Sequence, residues 1–296
     1  MGVEVLSVLD SAQVSTARRL VETASAADGV APLSEQAVLA IAVADGVRHL
    51  VAGESAYANI IAGRDGEPAM IEAVVDPAAR RRGIGRALLD AAFGEARKLS
   101  EVAPRAWAHG DLPGAQALAA SMGLARRREL LQLRRPLSTE LDPLVIPDGL
   151  EVRTYAGQSD DAEILRVNNA AFDWHPEQGG WGLEQIRERV TSEWFDPAGL
   201  FLAFDTAEPE RLLGFHWTKI HRDPGTEPLG EVYIVGVDPT TQGRGLGRVL
   251  TLAGLHYLAA QGLSEVELYV EGDNAAALHT YERLGFTRYT IDVAYG

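Results

Sequence analysis

Two stretches decide how this chain is read: "VDPAARRRGIGRAL" at residues 75–88 and "VDPTTQGRGLGRVL" at residues 237–250. Each leaves an apolar segment through Asp-Pro, crosses a polar or basic patch, and enters a helical pattern through Gly-x-Gly. Asp-Pro interrupts regular structure and sets a turn. Glycines at the junction let the backbone bend sharply and leave its N–H groups uncovered. A helix starting there has N–H groups without intrahelical partners, and its dipole adds positive charge. The junction therefore suits an anion with several oxygens, a pyrophosphate better than a carboxylate. It is not a Walker loop, because no Gly-Lys-Ser/Thr follows, and the third glycine of a dinucleotide fingerprint would fall on Arg248.

The two copies keep register. Gly83 and Gly245 are 162 residues apart, and so are Asp76 and Asp238. At the same spacing "HGDLPGAQALAASMGL" (residues 109–124) lies over "EGDNAAALHTYERLGF" (residues 271–286), with no insertion. Register held over about fifty residues marks a duplicated domain of roughly 140 residues. The join is "RRPLSTELDPLVIPDG", rich in proline and turn residues. It divides the chain into a first domain at 1–136, a linker at 137–148 and a second domain at 149–296. The second half reads as strand, helix, helix, three strands, helix, strand, helix, strand. "DDAEILRVNNAAF" has helical spacing, "GLFLAF" and "RLLGFHWTKI" form a hairpin, and "GEVYIVGV" leads into the repeated turn. This predicts an α/β class with a mixed sheet.

Composition narrows the function. With no cysteine among 296 residues, disulfides, thiolate metal sites and a cysteine nucleophile are excluded. Asp and Glu outnumber Lys and Arg by 42 to 27, a net charge of −15 that repels nucleic acid and acidic membranes and tolerates a cationic amine. The start "MGVEVLSVLDSAQ" lacks signal-peptide features, and no apolar run reaches membrane-span length. The expectation is a cytoplasmic monomer with a small-molecule partner, no nucleic acid and no membrane. His216 and His221 lack a supporting ligand cluster, so no metal is expected.

Gln242-x-x-Gly245-x-Gly247 and Arg80-x-x-Gly83-x-Gly85, each after Val-Asp-Pro, resemble the acetyl-CoA signature of the GNAT superfamily of N-acetyltransferases. "DNAAALHTYERLGF" (residues 273–286) is similar to that family's second motif. The segments "DGVAPLSEQ", "RVNNAAF", "HPEQGGW", "LLGFHWTK" and "GEVYIVGVDP" resemble the mycothiol synthase family of tandem GNAT enzymes along nearly the whole chain. The resemblance implies two tandem GNAT domains, each a mixed sheet in which two parallel strands splay to admit acetyl-CoA. It implies cofactor contacts at Val235, Gly236, Val237, Gln242, Gly243, Arg244, Gly245, Leu246, Gly247, Arg248 and Asn274. The matching positions of the first half are Ala73, Val74, Val75, Arg81, Arg82, Gly83, Ile84, Gly85 and Arg86. The implied reaction is acetylation of the cysteinyl amine of a cysteine–glucosamine–inositol conjugate.

Amine acetylation needs a neutral amine, a polarised thioester carbonyl and a proton for the leaving thiolate. Glu231, at the start of the strand before the second turn, is the expected general base, directly or through water. A backbone N–H at Val237 or its neighbours is the expected oxyanion donor. Tyr281, placed by the resemblance near the cofactor sulfur, is the expected acid. With no cysteine to carry an acyl group, transfer is expected to be direct. At the 162-residue spacing Ala69 stands for Glu231, Ala119 for Tyr281 and Leu112 for Asn274. The first half is thus expected to keep the anion turn, holding acetyl-CoA or only the fold, without catalysing. Glu35, Glu177, Lys219 and Asp273, together with Glu231, resemble substrate-contacting positions, and Glu35 would put substrate between the domains. Trp174, His175 and Trp181 are expected in a loop over the sugar. The alternatives are another amine, such as an aminoglycoside or a protein N-terminus, or a non-catalytic acyl-CoA-binding regulator.

Overall fold

A computed structural model describes residues 2–42, 46–63, 66–173, 178–222, 225–241 and 243–296. The chain forms two compact units, Met1–Leu130 with Thr290–Gly296, and Leu131–Tyr289. Unit 1 contains β1 (Glu4–Leu6), α1 (Ser11–Asp28), α2 (Glu35–Ala40), β2 (Val47–Val51), β3 (Ala56–Ile61), β4 (Met70–Val75), α3 (Ile84–Ala96), β5 (Arg105–Ala108) and α4 (Pro113–Ser121). Strand β6 (Arg126–Pro136) begins in unit 1 and ends in unit 2. Unit 2 continues with β7 (Leu150–Thr154), α5 (Asp161–Ala171), α6 (Leu183–Val190), β8 (Leu200–Asp205), β9 (Leu212–His221), β10 (Leu229–Val237), α7 (Leu246–Ala260), β11 (Glu265–Glu271) and α8 (Ala275–Arg283). The last strand, β12 (Thr287–Tyr295), starts in unit 2, and its end counts with unit 1. The strand and helix order expected for the second half is the order observed, and residues 137–149 hold neither helix nor strand.

In unit 1 the strand order is β1-β2-β3-β4-β5, and the end of β12 lies antiparallel to β5. In unit 2 it is β6-β11-β10-β9-β8-β7. Each unit has a parallel pair at its repeated turn: β4 with β5, and β10 with β11. A parallel pair needs a crossover, and α3 and α7 supply it. Alternation along β9 sends Phe215 and Trp217 into a core with Ile164, Val167 and Ile186 from α5 and α6. The other face of the sheet packs Leu213 and Ala203 against Leu246 and Leu250 of α7. His216 lies on that second face, fully buried, its Nδ1–H donating to the Leu250 carbonyl at 2.8 Å. Burial pushes its pKa down to about 4, so the ring is neutral. A Cβ at Gly254 would come within 2.1 Å of that ring, so glycine is what lets α7 approach β9.

The two parallel pairs reveal a difference that a constant spacing hides. In unit 1 Met70 pairs with Arg105. In unit 2 Glu231 pairs with Glu267, which is 162 residues beyond Arg105. The register of β10 on β9 slips between Val232 and Ile234, leaving Tyr233 as the extra residue of a β-bulge, whereas β4 pairs with β3 without a slip. Upstream of the bulge the spacing drops by one residue. The structural counterpart of Glu231 is therefore Met70, not Ala69. Buried Ala69 instead matches buried Gly230, and buried Glu72 takes the place of Ile234.

Candidate active site

β10 carries Glu231 to the last parallel pair, Gly230 with Val266 and Glu231 with Glu267, and pairing with β11 stops there. The bulge at Tyr233 then turns the strand as it runs on to Val237. Glu231 is buried, and its Oε2 lies 2.8 Å from His221 Nε2, contributed by β9 across the hairpin. That bond, against some loss from burial, holds the His221 pKa above its ordinary value. Lys219 is the register partner of Glu231 on β9. Its ammonium sits 5.3 Å from the centroid of Trp194 and 5.6 Å from that of Tyr233. The face holds a cation against aromatic rings, beside a carboxylate already bonded to an imidazole.

On the other side, Glu267 is buried too and accepts hydrogen bonds from Gln132 Nε2 at 2.8 Å and from Arg134 at 3.0 Å. Burial pushes its pKa up, Arg134 pulls it down, and the negative charge of Glu231 adds to the rise. The Arg134 guanidinium also bonds Glu265 at 3.0 Å and stacks 3.8 Å above the Tyr289 ring.

The turn after β10 is anchored by Asp238. Its carboxylate accepts from Arg166 at 2.7 Å, and from the backbone N–H and hydroxyl of Thr240 at 2.9 and 2.7 Å. Gly243 and Gly245 follow in the left-handed region, at φ 82° and 75°, and Gly245 caps α7 without a side-chain bond. Among the described residues, a Cβ at Gly243, Gly245 or Gly247 would meet no atom within 4 Å, so nothing packs over the turn at these positions. Leu246 is buried, while Arg244 is exposed and lies 4.0 Å from Asp205, and Arg248 is tied to Asp142 at 2.5 Å. Val235 and Val237 are half-buried with buried Gly236 between them. Gln242 lies outside the described residues.

α8 follows β11 and carries Tyr281. The half-buried phenol stacks edge-on against Phe286 at 5.8 Å, and burial pushes its pKa up to about 12. It therefore holds its proton at neutral pH. Asn274 caps α8, its Oδ1 accepting from the Ala277 N–H at 3.1 Å, and exposed Asp273 precedes it. Of the residues singled out from sequence, the structure brings Glu231 and Lys219 together. Glu35 belongs to unit 1, exposed in the first turn of α2. Trp174, His175 and Glu177 lie outside the described residues, and Trp181 stacks under the Arg189 guanidinium at 3.9 Å.

Unit 1 repeats the turn with different surroundings. β4 and β5 pair at Met70–Arg105 and Ile71–Ala106 and then separate, opening a cleft of about 730 Å³. Ala73, Val74 and Val75 line one wall, and Arg81, Gly83, Ile84, Gly85 and Arg86 line the turn. Arg81 occupies the left-handed region at φ 64°, where unit 2 has Gly243, a conformation that costs a non-glycine residue about 1 kcal/mol. Arg82 is exposed beside it, and Arg86 bonds the Ser121 carbonyl at 2.9 Å. Deeper in the cleft His109 bridges two carboxylates, Glu72 and Asp292, at 2.9 Å each. Burial alone would lower its pKa, but the two bonds outweigh it and raise it to about 9.

Sequence reasoning passed over His221, Glu267, Gln132 and Arg134. The sequence shows His221 only as an isolated histidine, yet hairpin pairing of "RLLGFHWTKI" with "GEVYIVGV" puts it near Glu231. Glu267 stands out in "SEVELYV" as an acid among apolar strand residues, a pattern that flags a buried charge.

The model of the acetyltransferase (GNAT) family matches residues 35–124 and 168–286. The chain is 70% identical to the mycothiol acetyltransferase of Gordonia bronchialis, over 99% of this chain and 95% of that one. It is 58% identical to the mycothiol acetyltransferase of Nocardia farcinica, over 97% and 95%. Among solved structures it resembles a GCN5-related N-acetyltransferase from Sphaerobacter thermophilus at a TM-score of 0.73 and 20% identity, covering 99% of this chain and 94% of that one. It also resembles a tandem GNAT protein from the clavulanic acid pathway at 0.67 and 22%, covering 99% and 98%. At those identities the structural likeness speaks for the fold.

Proposed function

The chain belongs to the acetyltransferase (GNAT) family, and we propose that its second unit acetylates the cysteinyl amine of a cysteine–glucosamine–inositol conjugate, completing mycothiol. The names of relatives 70% and 58% identical support the substrate. The observation that carries the chemistry is Glu231: a buried carboxylate, bonded to His221, where β10 and β11 stop pairing and just ahead of the glycine turn.

The residues fit acetyl-CoA. The start of α7, without a side-chain cap, and the uncrowded glycines Gly243, Gly245 and Gly247 suit a pyrophosphate, with exposed Arg244 adding charge. When bound, acetyl-CoA supplies a thioester carbonyl and a thiolate leaving group. Glu231 takes the proton that the amine nitrogen loses as it bonds to the carbonyl carbon, directly or through a water. Backbone N–H groups among Val235, Gly236 and Val237 stabilise the negative charge on the carbonyl oxygen. As the carbon–sulfur bond breaks, the Tyr281 phenol protonates the sulfur, and its pKa near 12 keeps it protonated until then. Lys219 and the exposed Asp273 offer contacts to the polar acceptor. Unit 1 holds acyl-CoA in its cleft of about 730 Å³ and does not catalyse, because Met70 replaces Glu231 and Ala119 replaces Tyr281.

Product mass spectrometry with acetyl-CoA and the conjugate tests the reading. Glu231→Gln is expected to reduce kcat by about 100- to 10,000-fold, and Tyr281→Phe by about 10- to 100-fold, with both proteins folded. Full activity of the double variant, or turnover of another amine but not the conjugate, overturns it.

A further inference from the structure

Glu231 is buried and has charged neighbours on both flanking strands, half-buried ones on β9 and a buried one on β11. On β9 it faces Lys219 and His221. On β11 it faces Glu267, its register partner, which is itself buried. The charge of Glu231 raises the affinity of Glu267 for a proton, and the charge of Glu267 adds to the rise at His221. A pair of this kind is tolerated in the interior only if cations or donors compensate it.

The compensation comes from β6. Arg134 and Gln132 both bond Glu267 Oε2, at 3.0 and 2.8 Å, and Gln132 also bonds the Tyr269 hydroxyl at 2.8 Å. Arg134 is oriented in turn by Glu265 and by the Tyr289 ring. Arg189 of α6 completes the surroundings, bonding the Tyr233 hydroxyl at 3.0 Å. The chain thus runs from Arg134 and Gln132 through Glu267 and Glu231 to His221 and Lys219. It couples a strand lying before the linker to the base of the second unit.

We infer that Glu267 is a positioning residue for acetyl transfer: held by Arg134 and Gln132, it sets how readily the Glu231–His221 pair takes up the amine's proton. The inference rests on the reading of Glu231 as the base. It makes residues 131–136 part of the working unit, since a chain beginning at residue 149 lacks the cation that balances Glu267.

The signs are fixed by electrostatics. Removing the charge of Glu267 removes a repulsion that favours the protonated pair, so the pair gives up its proton at lower pH. Removing Arg134 leaves that repulsion uncompensated, so the pair holds its proton to higher pH. The experiment measures kcat/KM against pH in the full chain, with acetyl-CoA and the cysteinyl conjugate, for Glu267→Gln, Arg134→Gln and Arg134→Lys. Titration of the substrate amine is common to all of them. The acidic limb is expected to move down by roughly half to one and a half pH units in Glu267→Gln, and up by a similar amount in Arg134→Gln. In Arg134→Lys, which keeps the charge, it should stay near the parent position. Unmoved limbs, or shifts of one sign in both charge-removing variants, overturn the inference. Should Glu267→Gln fail to fold, the contrast of Arg134→Gln with Arg134→Lys decides alone. Glu231→Gln is run alongside: if it keeps parental activity the base reading itself has failed, whereas its loss with unmoved limbs sinks only the role of Glu267.

Discussion

Asp238 and Asp76 stand at the same place in the two repeated turns, yet the structure predicts very different consequences for replacing them with asparagine. Asp238 is buried and takes hydrogen bonds from Arg166 and from the backbone and hydroxyl of Thr240. Burial pushes its pKa up, but those bonds outweigh burial and lower it from 3.8 to about 2. A depression of nearly two pH units, at about 1.4 kcal/mol each, makes the ionised carboxylate stabilise the fold by roughly 2.5 kcal/mol. Because the folded pKa is the lower one, this contribution is present above pH 4 and is lost as pH falls through about 2. Asp76 keeps a backbone bond from Ala78 but meets its cation, Arg19, only at 3.5 Å and on a half-exposed arginine. An exposed pair of that kind contributes about 0.2–1 kcal/mol. Urea unfolding followed by circular dichroism and tryptophan fluorescence separates the two. At pH 7, Asp238→Asn should lose about 2–3 kcal/mol and Asp76→Asn under about 1 kcal/mol, and the Asp238 deficit should shrink on approach to pH 2. Equal losses for the two variants, or an Asp238 deficit that ignores pH, would mean that the ionised Asp238 carboxylate does not hold the second turn.

In unit 1 His109 titrates between Glu72 and Asp292 with its pKa raised from 6.5 to about 9. The stabilisation, up to roughly 3 kcal/mol, is complete below pH 6.5 and is lost as pH rises through 9, so His109→Gln should flatten the pH dependence of unit 1 melting in that window. Gly254→Ala would place a methyl carbon 2.1 Å from the fully buried His216 ring. Forcing α7 off β9 should cost about 1–3 kcal/mol or more, measured as a lower urea midpoint, whereas alanine at open, αR-compatible Gly94 should cost nothing.

The repeat, the order of elements and the turn itself were legible because each has a local signature. Asp-Pro, paired glycines and apolar periodicity act over a few residues, and a spacing of 162 residues carries them from one copy to the other. What stayed hidden is non-local. The bulge at Tyr233 changes the spacing by one residue inside an apolar run, where every alignment looks equally good, so Met70 rather than Ala69 proves to be the counterpart of Glu231. The bond between His221 and Glu231 depends on hairpin register, and the hold of Arg134 on Glu267 depends on a neighbouring strand from before the linker. Likewise nothing in "FTRYTIDVAY" announces that Thr290–Gly296 counts with unit 1.

Single-turnover acetyl transfer to the cysteinyl conjugate reads out whether the two units divide the labour. One variant combines Glu231→Gln with Tyr281→Phe, and the other replaces Gly83 and Gly85 with alanine to close the turn of unit 1. The first should lose product formation by at least about 100-fold, while the second should still form the N-acetyl product at a rate close to the parent. Loss of transfer in the unit 1 variant with transfer preserved in the unit 2 variant would contradict that division of labour.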